Sequence, residues 1–134
     1  MAGCQTAILI YIHRVEDLNE AFEAVRTVWR AAGWPGVVED LSYGTPALKV
    51  RGKLLLRLRE PGIVVLLCDL DEKEFLMQAM PEVYFETDHY KGYPAVLARL
   101  ETIDRDALAD HIEKRWRAVA GKKLVAEFDT RCDR

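Results

Sequence analysis

At 134 residues, half of them hydrophobic, with 19 Lys and Arg against 22 Asp and Glu for a net charge of −3, the chain has the length of one domain with a single buried core and too much apolar content for intrinsic disorder. The acidic balance argues against a protein dedicated to nucleic acid, although a local basic patch would suffice. Cys4, Cys68 and Cys132 are odd in number and widely spaced, which fits neither a disulfide framework nor a CxxC metal site and leaves free thiols in a reducing cytoplasm as the expectation.

In chain order, the first apolar run is Ala7 to Ile12. It is too short to span a bilayer and no basic residue precedes it as in a signal peptide, so it reads as a short strand or an ill-ordered extension over residues 1–17. Leu18, Ala21, Phe22, Val25, Val28, Trp29 and Ala32 recur at helical spacing and predict an amphipathic helix that Asp17 caps and Gly33 and Pro35 stop. Phe22 and Trp29 read as its core-facing aromatics.

Gly44 and Pro46 mark a turn, after which Leu48 and Val50 alternate with Lys49 and Arg51. Gly52 permits a reversal, and Leu54, Leu56 and Leu58 then alternate with Lys53, Leu55, Arg57 and Arg59. This is the period-2 pattern of half-buried antiparallel strands, and it predicts those three leucines inward and Lys53, Arg57 and Arg59 outward. The turn at "EPG" leads to Ile63–Cys68, a strand apolar on both faces, in which Cys68 is expected to be inert. Asp71 and Glu74 have the spacing of a helix capping box. Phe75, Leu76, Ala79 and Met80 give that helix an apolar side, and Pro81 ends it. Two strands, "VYFETD" and "AVLARLETI", flank the polar stretch "HYKGYP", which reads as a turn. A long helix capped by Asp104 follows, with Leu108, Ile112, Trp116 and Val119 on one face, interrupted at Gly121. Leu124 to Phe128 fits a short helix or an extended tail equally. The expected order is helix, three strands, helix, two strands, helix: a single-domain α+β fold with helices packed on an antiparallel sheet.

The chemistry-bearing residues are sparse. His13, His89 and His111 match no zinc pattern, and GxSxG, Walker A and GxGxxG are absent. No metal, no cofactor, no catalysis and no membrane association are expected. What stands out is charge segregation. Lys49, Arg51, Lys53, Arg57 and Arg59 are met by one carboxylate, Glu60, between Tyr43 and Leu67, and a second cluster, Lys114, Arg115, Arg117, Lys122 and Lys123, lies near the C-terminus. A cationic β-ribbon is a phosphate-binding surface. The plainer reading is a solvated sheet face with edge charges that discourage aggregation. Around the turn, Tyr43, His89, Lys91 and Tyr93 could grip an anion, or could be ordinary solvated loop residues.

The blocks "LSYGTPALKVRGKLLLRL", "CDLDEKE", "PEVYFETDHYKGYPAVLARL" and "WRAVAGKKL" together resemble the MmcQ/YjbR family of small bacterial proteins, in order, from about Leu18 to Leu124, within an expected domain over residues 18–128. The resemblance implies a CyaY-like α+β fold whose hairpins project as a double wing, and a proposed DNA-binding role. The polar turn is similar to the family's signature block, with His89, Lys91 and Tyr93 at its polar positions. Relatives carry an HxxKxHW-like form where this chain has "HYKGYP", so a role that belongs to a second His or a Trp does not carry over. The leading functional expectation is a DNA-binding protein that uses Lys49, Arg51, Lys53, Arg57 and Arg59. The alternative is a non-catalytic module for a protein or small anionic ligand near Tyr43, His89, Lys91 and Tyr93.

Overall fold

Two tight turns organise the middle of the chain. Tyr43-Gly44 (φ 52° and 77°) and Arg51-Gly52 (φ 52° and 76°) are both left-handed pairs, the backbone of two-residue hairpin turns whose twist matches that of the flanking strands. They join β1 (Val37–Ser42), β2 (Thr45–Val50) and β3 (Lys53–Glu60) into a meander that β4 (Ile63–Leu67) extends. The computed structural model describes residues 17–132. Within them a helical turn at 17–21 leads into α1 (Glu23–Ala32), which ends at Gly33 in the left-handed conformation (φ 68°). After β4 come α2 (Leu70–Ala79), the short β5 (Tyr84–Phe85), a 3₁₀ turn at Asp88–Tyr90, β6 (Ala95–Arg99), α3 (Arg105–Val119) and α4 (Lys122–Cys132). The expectations for Ala7–Ile12, Cys4, His13 and the 1–17 extension fall, apart from residue 17, outside the described residues.

The six strands form one antiparallel sheet in the order β1-β2-β3-β4-β6-β5. Its register sorts the side chains. Leu48, Leu56, Leu66 and Val96 lie opposite one another across β2, β3, β4 and β6, and all are buried. They meet Phe22, Val25, Leu108, Ile112 and the fully buried Trp116 of the helices in one core. Trp116 also donates its indole N–H to the Pro35 carbonyl (3.0 Å) and meets Phe128 edge-on, so its polar atom is satisfied inside the core. The alternate row is Ala47, Arg57, Val65, Leu97 and Phe85. It faces away from the helices and carries a smaller cluster of Val65, Leu97, Ala95 and Tyr90.

The fold corrects several expectations. Among the described residues four strands precede α2, not three, because β1 is an edge strand with only Val37 buried and so lacks a two-residue period. The inward register of the leucines slips at a β-bulge: Leu48 faces Leu56 while Lys49 faces Leu54. Leu55 consequently enters the core, and Leu54 stays half-buried. Trp29 packs on the core but is only partly buried. The capping box at Asp71 does not form; Asp69 stands at the N-cap, and Asp71 and Glu72 sit in the first turn, where their charge suits the helix dipole. The apolar side expected for α2 is largely outside, with Phe75 and Met80 exposed and Lys73 buried. Leu124 to Phe128 is helical, within α4.

Candidate functional site

The five hairpin cations divide between two places. Lys49, Arg57 and Arg59 alternate onto the helix-free face, whereas Arg51, at the β2–β3 turn, reaches the opposite way and donates to the Ala120 carbonyl (3.4 Å) between α3 and α4. Lys53 follows Arg51 at this tip, exposed and without an ion-pair partner among the described residues. The tip thus meets the C-terminal basic segment, in which Lys122 and Lys123 are also exposed. Lys49 is held by β1, through Asp40 (3.3 Å) and the Leu41 carbonyl (2.9 Å).

Arg57 is the hub of the helix-free face. Its guanidinium lies 5.1 Å from the Tyr43 ring centre and donates to the Tyr90 hydroxyl (2.8 Å) and to Thr45 Oγ1 (3.3 Å). Arg59 lies over the Tyr90 ring (5.7 Å). Tyr90 in turn meets His89 edge-on (5.1 Å), and His89 stacks on Tyr93 (6.2 Å, 12° between planes). Tyr43, Arg57, Tyr90, His89 and Tyr93 therefore form one continuous chain of planar groups. Its two ends are open: Tyr43 is 90% exposed and Tyr93 is 58% exposed. The structure brings the expected Tyr43, His89 and Tyr93 together through Arg57 and Tyr90, while Lys91 stays at the surface beside Asp88 (3.7 Å). Tyr90 itself is buried, and Arg57 donates to its hydroxyl oxygen.

What fixes this segment is Lys73, only 3% exposed. From α2 its ammonium donates to the carbonyls of Tyr90 (2.6 Å) and Tyr93 (3.1 Å) and pairs with Glu86 (2.7 Å). Three acceptors satisfy the three N–H bonds of the ammonium, the condition on which a lysine can be buried at all. Nothing in the local pattern marks this anchor, since Lys73 looks like any helical lysine.

A second constellation lies between α2 and α3, where Leu67, Cys68, Glu72, Pro94, His111 and Arg115 line part of a cleft of about 380 Å³. The Tyr84 hydroxyl and His111 Nε2 are 2.7 Å apart, His111 Nδ1 is 4.0 Å from Glu72, and Lys114 pairs with Glu72 at 3.0 Å. Burial lowers the basicity of His111 against the opposing pull of Glu72. Burial, then Glu72, raises the Tyr84 phenol, and the hydrogen bond to Glu72 raises Lys114. The Cys68 thiol is pushed up to about 11, chiefly by burial and then by Glu72 and Asp69, so it stays protonated at neutral pH and is a poor nucleophile. The pairing of His111 is not visible in the sequence because its partners Tyr84 and Glu72 are remote in the chain. Among the described residues no group of three or more His, Cys, Asp or Glu side chains is placed to hold a metal ion, and no helix is long and apolar enough to cross a membrane.

A six-stranded open antiparallel sheet with its helices on one face defines the class as a single-domain α+β protein. The YjbR family model matches residues 32–118, and the chain belongs to that family. The fold is shared with a Deinococcus radiodurans protein, DR2400, of family-model domain DUF419, at a TM-score of 0.61 and 18% identity over 78% of this chain and 85% of that one. Two mycobacterial relatives, the uncharacterized proteins Mb2600 of Mycobacterium bovis and Rv2570 of Mycobacterium tuberculosis, are each 48% identical over 48 residues. That stretch is 36% of this chain and 37% of each relative, so the match spans little more than a third of their length.

Proposed function

We propose that this YjbR-family protein binds nucleic acid, single-stranded DNA in particular, on the helix-free face of its sheet, without catalysis. The observation that carries the reading is Tyr43. It is 90% exposed, it occupies a left-handed backbone position (φ 52°), and its ring lies against Arg57. A bulky residue at positive φ is uncommon, and such positions gather at functional sites. An exposed ring held by a guanidinium, with a second stacked pair nearby, is the kind of platform on which unpaired bases stack while cations take the phosphates. Arg57 and Arg59 supply positive charge beside the rings, and Lys53 with Lys122 and Lys123 supplies it at the hairpin tip. Segregation of this kind lets a chain of net charge −3 present a local cationic surface.

Fluorescence anisotropy with a labelled oligothymidylate at several salt concentrations tests the reading. Engagement of all five hairpin cations on a duplex would give a log–log salt slope of roughly −4 to −5. Lys49 is ion-paired with Asp40 and Arg51 reaches away from this face to the Ala120 carbonyl, so three or four contacts on a single strand are expected, with a slope of about −2 to −3. Replacement of Arg57 and Arg59 by Gln should reduce its magnitude by about 1 to 1.5 and weaken every sequence alike. A His89→Ala, Lys91→Ala variant should lose less. Absence of single-strand and duplex binding at low salt refutes the proposal, and small-anion binding that is lost in the His89→Ala, Lys91→Ala variant but kept in the arginine variant would favour the ligand alternative.

A further inference from the structure

The cleft between α2 and α3 has no part in the reading above, and its geometry points to a ligand of its own. We propose that it binds a small organic monocarboxylate, the carboxylate held by the Arg115 guanidinium and the apolar body lying against Leu67, Pro94 and Ala118. Arg115 lines the cleft, and its Nε donates to the Leu54 carbonyl (3.1 Å). Leu54 sits at the β3 bulge, where disturbed pairing leaves a carbonyl for a side chain to use. One nitrogen of the fork is thereby tethered and the plane of the group is fixed. The two terminal nitrogens have no hydrogen-bond or ion-pair partner among the described residues. A planar fork held in this way matches a carboxylate through two parallel hydrogen bonds, with its orientation already settled.

Charge selects the ligand further. Glu72 is closed off by Lys114 at 3.0 Å, so Lys114 is not a spare cation. Asp69 also lines the cleft, with no ion-pair partner among the described residues, and a dianionic phosphate would meet that carboxylate for the sake of one free guanidinium. A single negative charge is the better match. The cleft, of about 380 Å³, falls at the small end of ligand sites, in which an apolar lining carries a few placed polar groups. His111 lines the wall with its ring hydrogen-bonded to the Tyr84 hydroxyl (2.7 Å), which leaves an oriented surface beside the carboxylate position.

Amide NMR titrations of the full chain with hexanoate, hexanamide and inorganic phosphate decide the matter. Hexanoate should move the resonances of Cys68, Glu72 and His111 in a saturable way, and hexanamide and phosphate should not. Arg115→Gln should weaken hexanoate at least tenfold. Arg115→Lys should also weaken it, because it keeps the charge but loses the fork. The Arg57→Gln, Arg59→Gln variant should bind hexanoate as the native chain does, which separates this site from the nucleic-acid face. An equal response to hexanamide, a stronger response to phosphate, or no response at those residues overturns the proposal. So does unchanged affinity in either Arg115 variant with a native-like spectrum. Should neither variant fold, the contrast between hexanoate and hexanamide on the native chain decides alone.

Discussion

The same strands build both faces of the sheet, yet the faces are held by different means. On the helix side, Leu48, Leu56, Leu66 and Val96 form an unbroken apolar row under α1 and α3, with Trp116 fully buried against it. On the other side, among the described residues, the row Ala47, Arg57, Val65, Leu97 and Phe85 is covered only in part, by the 86–94 segment with Tyr90 turned in. The first face is secured by many small contacts spread over the whole chain. The second depends on a few polar contacts at definite points, above all Lys73 and Arg57. Damage to the first should be felt globally, and damage to the second locally.

The sharpest test of that contrast starts with Trp116. Trp116→Ala removes a fully buried indole, its edge-on contact with Phe128 and its bond to Pro35, and should cost about 3–5 kcal/mol in urea unfolding. Trp29→Ala, at a partly buried position, should cost clearly less. Equal losses for the two would contradict the assignment of Trp116 to the centre of the core.

Lys73→Met comes next. It leaves the Tyr90 and Tyr93 carbonyls without their donor and Glu86 without its partner. Breaking a buried pair costs about 3–5 kcal/mol; Glu86 is a quarter exposed and can rehydrate, so about 2–4 kcal/mol is expected here. The distribution of the loss matters more than its size. Hydrogen exchange should quicken mainly in residues 86–94 in this variant, and everywhere in Trp116→Ala. Uniform acceleration in both would erase the distinction between the faces.

How far these differences were legible in the sequence follows from their physics. The helix side announced itself, since Leu56, Leu58, Val25 and Ile112 each recur at the period of their own element and periodicity needs only neighbours in the chain. The bulge at Leu54 and Leu55 was not legible, because a run of three leucines reads the same in either register. Tyr43, His89 and Tyr93 were visible as polar aromatics at turns, but the Arg57–Tyr90 link that joins them is a long-range contact. Lys73 and His111 were hidden for the same reason: each looks ordinary until tertiary structure supplies its partners.

His111 offers a gentler probe, on the helix side. Burial lowers its pKa in the folded state, so in the window just below the unfolded value of about 6.5 the unfolded chain binds a proton that the folded chain refuses. Its share of stability is therefore present above that pH and lost as pH falls through it. Glu72 and Asp110 oppose the shift, and Lys114 reinforces it. Melting temperatures should fall on going from neutral pH to below 6, and less so in His111→Gln. Parallel curves for the two proteins would show that His111 accepts its proton in the fold as readily as in the unfolded chain.

The smallest effect is expected at the most exposed point of the open face. Tyr43 holds a left-handed conformation (φ 52°) at the first position of a two-residue hairpin turn, where Asn is favoured because its short polar side chain tolerates that backbone. Tyr43→Asn should relieve strain of order 1 kcal/mol. It also removes the contact with Arg57, which at an exposed site is worth about 0.5–1 kcal/mol. The two nearly cancel, and a net gain of about 0.5 kcal/mol or less is expected in urea unfolding. Affinity for the oligothymidylate should move the other way and by more, since each stacked base is worth about 1–3 kcal/mol. A variant that folds at least as well and binds worse would mean that the tyrosine is kept at an unfavourable backbone position for what it touches outside the protein. A variant that is destabilised and binds normally would mean that Tyr43 serves the hairpin alone, and the open face would then need another account.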